Sequence, residues 1–280
     1  MVGKLLLRGM LAGIAAGLLT FAFARVAGEP QVNQAIAFEE KAGDGAGAMH
    51  EHEHAGAGAG ADAHEHEHEH EHEHEHEHEH EHAHEQELVS RDTQAGLGLL
   101  TGVVTYGAAF GGLFSLVFAY AYGRVGAMSA RALSAWLALG AFVALVIVPN
   151  IKYPANPPAV GDPETIGTRT GLFFLMIAIS LTAMVFSLKV RRRAAMKLGA
   201  WNGSIVAGLV FIAIIAAVQM SMPVIDETPA GFPAALLWKF RVAALGMQAI
   251  MWATIGLLFG AIVERSSFMR VGNRTATRSA

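Results

Sequence analysis

Six stretches of this chain are apolar for about as long as a bilayer core requires of a helix, roughly 20 residues. They are Leu5–Ala24, Leu97–Tyr122, Leu133–Val148, Gly171–Leu188, Gly203–Met222 and Val242–Val263. In hydrocarbon the backbone has to satisfy its own hydrogen bonds, so the segments are read as helices and not as isolated strands. The third is the shortest, and Pro149 is expected to end it, because proline lacks the N–H that a helix interior needs. The predicted class is an all-α integral membrane protein, a bundle of about six transmembrane helices. Composition agrees, with 53% hydrophobic residues, 16% charged and a mean hydropathy of +0.38 over 280 residues.

Charge fixes the expected orientation. Of the 20 Lys and Arg residues, thirteen fall on one side if the N-terminus is placed in the cytoplasm, including Lys4, Arg8, Arg124, Arg131 and the run Lys189, Arg191, Arg192, Arg193 and Lys197. Basic residues favour cytoplasmic loops, so both termini are predicted inside. The cations sit singly or at the ends of apolar runs, which does not describe a nucleic-acid surface, and no nucleic-acid partner is expected.

The first span has a competing reading. Lys4 and Arg8 precede an apolar run that closes on Ala22-Phe23-Ala24, a small-x-small pattern that a signal peptidase recognises. Cleavage there would leave five helices. We read the span as retained, because Gly9, Gly13 and Gly17 recur every fourth residue and suit close packing against another helix. Gly107, Gly111, Gly112, Gly256 and Gly260 suit the same use. The expected organisation is a first helix at 1–28, an external low-complexity loop at 29–92, a five-helix bundle at 93–265 and a cytoplasmic tail at 266–280.

All 14 histidines lie in that loop: His50, His52, His54, His64, His66, His68, His70, His72, His74, His76, His78, His80, His82 and His84. From His64 to His82 they alternate with glutamate. Imidazole is a good ligand for Co²⁺, Ni²⁺, Cu²⁺ and Zn²⁺, and carboxylate adds charge and oxygen ligands. In extended backbone the alternation places histidines on one face about 7 Å apart. The segment has no apolar residues to bury and is flanked by Ala55-Gly56-Ala57-Gly58-Ala59-Gly60, so it is expected to be disordered and to form no fixed, selective site. The competing reading is a neutral low-complexity expansion or a pH-responsive polyampholyte.

The chain has no cysteine, which excludes thiolate metal sites, disulfides and cysteine nucleophiles. No Walker, G-x-S-x-G or H-E-x-x-H pattern stands in a suitable context, so no enzyme is expected, and an ATP-driven process would need another polypeptide. No ionisable residue falls near the middle of a span, which argues against an autonomous ion-coupled carrier. Polar residues near span ends are Gln94, Asn202, Gln219 and Gln248, and Asp226 and Glu227 follow the fifth span. Gln219, Asp226, Glu227 and Gln248 are the candidate pathway residues, set against plain packing and solvated loop ends. Met220, Met222, Met247 and Met251 are read as core filler. The proline-rich segment from Pro149 to Pro158, followed by Asp162, Glu164 and Arg169, is expected to be a rigid non-helical cap, read either as a well-packed external hairpin or as an entrance or docking surface for a second subunit.

Several segments carry a resemblance: Met1–Gly13, Gly28-Glu29-Pro30 with Ala35-Ile36 and Glu39-Glu40, Tyr106-Gly107 through Phe114, Lys152-Tyr153-Pro154-Ala155-Asn156-Pro157-Pro158-Ala159-Val160-Gly161, and Phe232-Pro233 with Leu237-Trp238-Lys239-Phe240-Arg241. Together they resemble the CbtA family of cobalt-transporter subunits. The resemblance implies a bacterial inner-membrane protein that takes up a divalent ion as substrate, cobalt first and Ni²⁺ or Zn²⁺ as the other candidates. It also implies a link to cobalamin-related cobalt supply and a small membrane partner with a histidine-bearing tail, CbtB-like. The His/Glu loop would then be periplasmic or extracellular.

Overall fold

The computed structural model describes the backbone of residues 2–53, 90–126 and 128–276, with side chains for 2–42, 90–126 and 128–266. Its elements are α1 (Val2–Phe23), α2 (Glu29–Glu53), α3 (Arg91–Thr93), α4 (Leu99–Ala121), α5 (Ala130–Ala141), α6 (Val148–Lys152), α7 (Ile166–Ser221) and α8 (Ala234–Ala276). Wide π-helical turns at Ala24–Gly28, Gln94–Gly98 and Phe142–Ile147 join α1 to α2, α3 to α4 and α5 to α6 without breaking the rods. The expected all-helical class holds: among the described residues there is no strand, and five rods are long and apolar enough to cross a membrane.

The count of five conceals six spans. Helix α7 contains one non-helical residue, Gly199 (φ 82°, ψ 163°), where the chain reverses. That left-handed φ is open to glycine at little cost, so the predicted spans at Gly171–Leu188 and Gly203–Met222 become the arms of one hairpin.

Pro149 does not end the third span. The helix runs on to Lys152, with Pro149 in the first turn of α6 and a π-helical turn immediately before it. A proline inside a regular helix leaves one carbonyl without a donor and crowds the preceding turn. The wider π turn relieves both. The non-helical cap therefore begins at Tyr153 and not at Pro149. Helical backbone likewise continues past residue 28, through 29–53, a stretch the sequence assigned to the loop.

Glycine sets the centre of the bundle. A Cβ on Gly13 would fall on the carbonyl oxygen of Gly107, one on Gly9 on that of Gly111, and one on Gly17 would stand 2.8 Å from the Val104 Cα. Helices α1 and α4 therefore touch backbone to backbone, as the four-residue spacing predicted. Helix α1 also packs on α8. Its face Gly9, Ala12, Gly13, Ala16, Gly17 and Thr20 is buried, so the first span is a central member of the bundle.

Helix α8 packs on α5 in the same manner. A Cβ on Gly260 would meet the Ser134 Cβ at 3.0 Å, and the buried Ser134 hydroxyl donates to the Gly256 carbonyl at 2.6 Å. Phe114, Phe118, Trp252, Ile255 and Phe259 fill the core around these contacts, and Phe118 and Phe259 meet edge to face at 5.1 Å. At the end holding the N-terminus, Arg8 donates to Ser266 at 2.8 Å and Arg131 pairs with Glu264. The α7 hairpin stands to one side, packed on α6 and the π turn before it through Val148, Tyr153, Met176, Ala183 and Ile215.

Candidate functional site

At the end of the bundle opposite the N-terminus, four segments distant in sequence build a cap. The first turns of α2 lie along the start of α8, and Ala35, Val160, Phe232 and Leu236 are buried together with Phe38 and Leu237 at their edge. The rings of Phe38 and Phe232 meet edge to face at 5.0 Å. Segment 153–161 is wedged into this layer. A turn closed by the Val160 N–H on the Pro157 carbonyl (3.2 Å) places Ala159 at φ 65°. That position of a proline-led turn ordinarily takes glycine. An alanine held there is strained backbone.

Polar bonds pin the cap to the spans. The hydroxyl of buried Tyr153 donates to the Pro223 carbonyl at 3.0 Å, and burial pushes its phenol pKa above the ordinary tyrosine value. Arg241 donates to Asn156 Oδ1 at 3.0 Å, Lys152 Nζ to the Gln219 carbonyl at 2.9 Å, and Arg25 to the Ala95 carbonyl at 3.1 Å. Arg91, at the start of α3, pairs with Glu29 at 2.6 Å and donates to Asn33 Oδ1 at 3.2 Å.

The four candidate pathway residues each have their own surroundings. Glu227 is the most enclosed: its carboxylate, 5% exposed, takes Arg169 Nη1 at 2.6 Å and the Thr165 hydroxyl. It therefore clamps the loop after α7 onto the start of the same helix. Asp226, one residue earlier, is exposed, accepts the Thr228 N–H at 3.2 Å and lies within electrostatic reach of Arg241. Gln219 donates its amide to the Val148 carbonyl at 2.8 Å, leaving Oε1 buried without a hydrogen-bond partner. Gln248 sits apart, deeper along α8, against the Tyr106 hydroxyl of α4. Sequence thus grouped residues of which three share the cap and one does not.

Gln31 Oε1 and the Nε atoms of Arg91 and Arg241 are also buried in the cap without a partner. Buried polar groups are ordinarily satisfied; four such atoms gather in the cap, and the hydroxyls of Thr20, Ser180 and Ser187 are the corresponding cases within the spans. Asn33, Arg91, Asn156 and Arg241 were not singled out as pathway residues from sequence. The available signal was that Asn156 and Arg241 stand inside the motifs behind the family resemblance, where they pair with each other. Asn202 lies at the opposite end, on the α7 reversal, where it donates to the Leu198 carbonyl at 3.1 Å. Of the methionines, Met251 is buried in the core as expected of filler, whereas Met220 is 86% exposed.

The histidines fall elsewhere. His50 and His52 belong to the last turns of α2 in backbone only, and His54 through His84 lie outside the described residues. Among the described residues no group of three or more His, Asp or Glu could hold a metal ion.

A family model described as "Probable cobalt transporter subunit (CbtA)" matches residues 2–64 and 59–264. No curated protein and no solved structure matches the chain. The match takes in the glycine-packed helix pair, the α7 hairpin and every segment of the cap, so this multi-pass membrane protein belongs to the CbtA family of cobalt-transporter subunits.

Proposed function

We propose that the chain is the membrane subunit of a divalent transition-metal uptake system, with cobalt as its substrate, and that the His/Glu segment captures the ion outside the cytoplasm. The observation that carries the reading is the clasp at the base of that segment: Glu29 and Arg91, which bracket it, are joined at 2.6 Å on the cap. The pair fixes both ends of the segment at the end of the bundle that carries Gln219, Asp226 and Glu227. The excess of Lys and Arg at the other end supports placing the termini inside and the cap in the periplasm or extracellular space.

On this reading the segment raises the local metal concentration and does not set selectivity, because a repeat of equivalent imidazoles follows the general affinity order that favours Cu²⁺. Selectivity belongs to the path through the bundle, built jointly with a partner. The family description as a subunit implies such a chain, and we assign the part to a small membrane protein with a histidine-bearing tail. Spans without a mid-membrane ionisable group favour a path completed by that partner over autonomous carriage.

The test is uptake of radiolabelled Co²⁺ into metal-starved cells expressing the chain with and without its small partner, with Ni²⁺ and Zn²⁺ as competitors. Internal accumulation that needs the chain and resists excess Zn²⁺ is the expected result. The competing reading is a membrane-anchored buffer or sensor, favoured by the lack of a described multi-ligand cluster along the spans. It predicts surface-bound Co²⁺ with no accumulation.

A further inference from the structure

The reversal of the α7 hairpin carries five cations, Lys189, Arg191, Arg192, Arg193 and Lys197, and residues 166–221 contain no Asp or Glu. Lys189, Arg192, Arg193 and Lys197 are exposed, and among the described residues none of the five makes an ion pair. The hairpin packs on the rest of the molecule near α6, away from this tip, and among the described residues no other element packs against the cluster.

The antiparallel register of the arms makes the cluster unusual. A Cβ on Gly203 would stand 2.7 Å from the Ala195 nitrogen, and Arg191 Nε donates to the Ser204 hydroxyl at 2.9 Å. These contacts set Lys197 level with Trp201, Arg193 level with Ile205 and Lys189 level with Leu209. Trp201, Ile205 and Leu209 are 78%, 47% and 62% exposed. Ammonium and guanidinium groups therefore share one depth with open aromatic and aliphatic side chains.

Counting depth from the other end brackets this zone between the levels of Val190 and Asn202. About 20 residues, the length that crosses a hydrocarbon core, lead from Met222 back to Asn202 on one arm and from Gly171 to Val190 on the other. The cations and Trp201 therefore straddle the boundary between acyl chains and headgroups, where indole rings settle and long basic side chains reach outward.

We infer that this tip is a binding site for anionic phospholipid, its phosphates held by Lys189, Arg192, Arg193 and Lys197 and its glycerol and upper acyl region lying against Trp201 and Ile205. An acidic soluble protein would meet the charges but would leave Trp201, Ile205 and Leu209 without apolar cover, so lipid is the better fit. The site is independent of the metal path, and no step of uptake is needed to observe it.

The test uses the full chain in phosphatidylcholine vesicles carrying a minor fraction of brominated lipid, reading the part of the tryptophan quenching that Trp201→Phe removes. Brominated phosphatidylglycerol is expected to quench this component more strongly than brominated phosphatidylcholine at the same fraction. The preference should fall at least about tenfold in the quadruple variant Lys189→Gln, Arg192→Gln, Arg193→Gln, Lys197→Gln, since each basic residue near an anionic surface contributes on the order of fivefold. Arg192→Lys with Arg193→Lys should keep it. Equal quenching by the two lipids, or a preference that survives the quadruple variant, would overturn the assignment. So would displacement of the lipid preference by polyglutamate in solution, which would reassign the tip to a protein partner. Should the quadruple variant not fold, salt titration of the unaltered protein decides: a preference that fades with ionic strength supports the site, and one insensitive to salt removes it.

Discussion

Arg91 and Glu29 lie 62 positions apart and meet at 2.6 Å, closing the base of the segment that holds every histidine in the chain. The pair is partly exposed, Arg91 more than Glu29, so its Coulomb gain is screened. Asn33 supports the same guanidinium. Replacing Arg91 with Ala is expected to cost on the order of 1 kcal/mol of stability and to lower Co²⁺ uptake at limiting metal, while leaving uptake at saturating metal nearly unchanged. Exchanging the two residues, Glu29→Arg with Arg91→Glu, should recover part of both losses. A double-mutant cycle in thermal unfolding, run beside uptake at two Co²⁺ concentrations, checks the coupling.

The contact between α1 and α4 leaves no room for a side chain at Gly13, whereas a Cβ on Gly102 of α4 would meet nothing within 4 Å. Gly13→Ala should force the helices apart and destabilise the protein by roughly 1 to 3 kcal/mol. Gly102→Ala should be neutral or slightly stabilising, because glycine is the weaker helix former. Thermal unfolding of the two variants in one detergent makes the comparison, and equal behaviour would refute the packing argument.

Glu227 is a structural clamp before it is anything else. Removing Arg169 leaves a carboxylate uncompensated in a nearly closed site, so Arg169→Ala should cost about 3 to 5 kcal/mol, the range for breaking a buried pair. Glu227→Gln keeps a group that can accept from Thr165 and should cost less. Should Glu227 also meet the transported ion, Glu227→Gln would raise the Co²⁺ concentration for half-maximal uptake without a matching loss of folded protein. Uptake normalised to the amount of folded protein in the membrane separates the two roles.

Much of this arrangement was readable in the sequence. The spans are apolar over membrane-length runs, and the four-residue glycine spacing named the α1 and α4 faces that do pack. Pro149 misled because local sterics alone forbid it inside a regular helix, while the π turn that precedes it has no signature in composition or periodicity. The extension of α2 was hidden for a related reason: its later residues are polar and glycine-rich, a composition that reads as loop. Gln219, Asp226 and Glu227 were found as polar residues at a span end, but their partners Val148, Arg241 and Arg169 are remote in sequence, and no periodicity announces them. Gln248 looked equivalent to Gln219 on composition and proved to face Tyr106 deeper in the bundle.

Tyr153 ties the cap to the end of α7 through the Pro223 carbonyl. Its phenol is buried and its pKa raised above the ordinary value near 10. The folded state therefore keeps the proton to higher pH than the unfolded chain does, and the contribution is intact below the ordinary pKa and lost as pH rises above it. Tyr153→Phe should lower stability by about 1 kcal/mol at neutral pH and flatten the decline of stability at alkaline pH. Unfolding midpoints collected across the alkaline range for both proteins test the sign.

The histidine segment has a pH dependence of opposite sense to that of Tyr153. Only neutral imidazole binds a metal ion, so capture by His50 to His84 should weaken as pH falls below about 6.5. Deleting residues 50–84 should abolish that pH-dependent binding and reduce uptake at limiting Co²⁺, while uptake at high Co²⁺ persists, because the bundle and its clasp at Glu29 and Arg91 remain. The order of preference among Co²⁺, Ni²⁺ and Zn²⁺ in uptake should be the same with and without the segment, since equivalent imidazoles confer no selectivity of that kind. Competition assays on the deletion variant decide it: an altered order would place selectivity in the histidines, and an unaltered one would leave it to the path through the bundle.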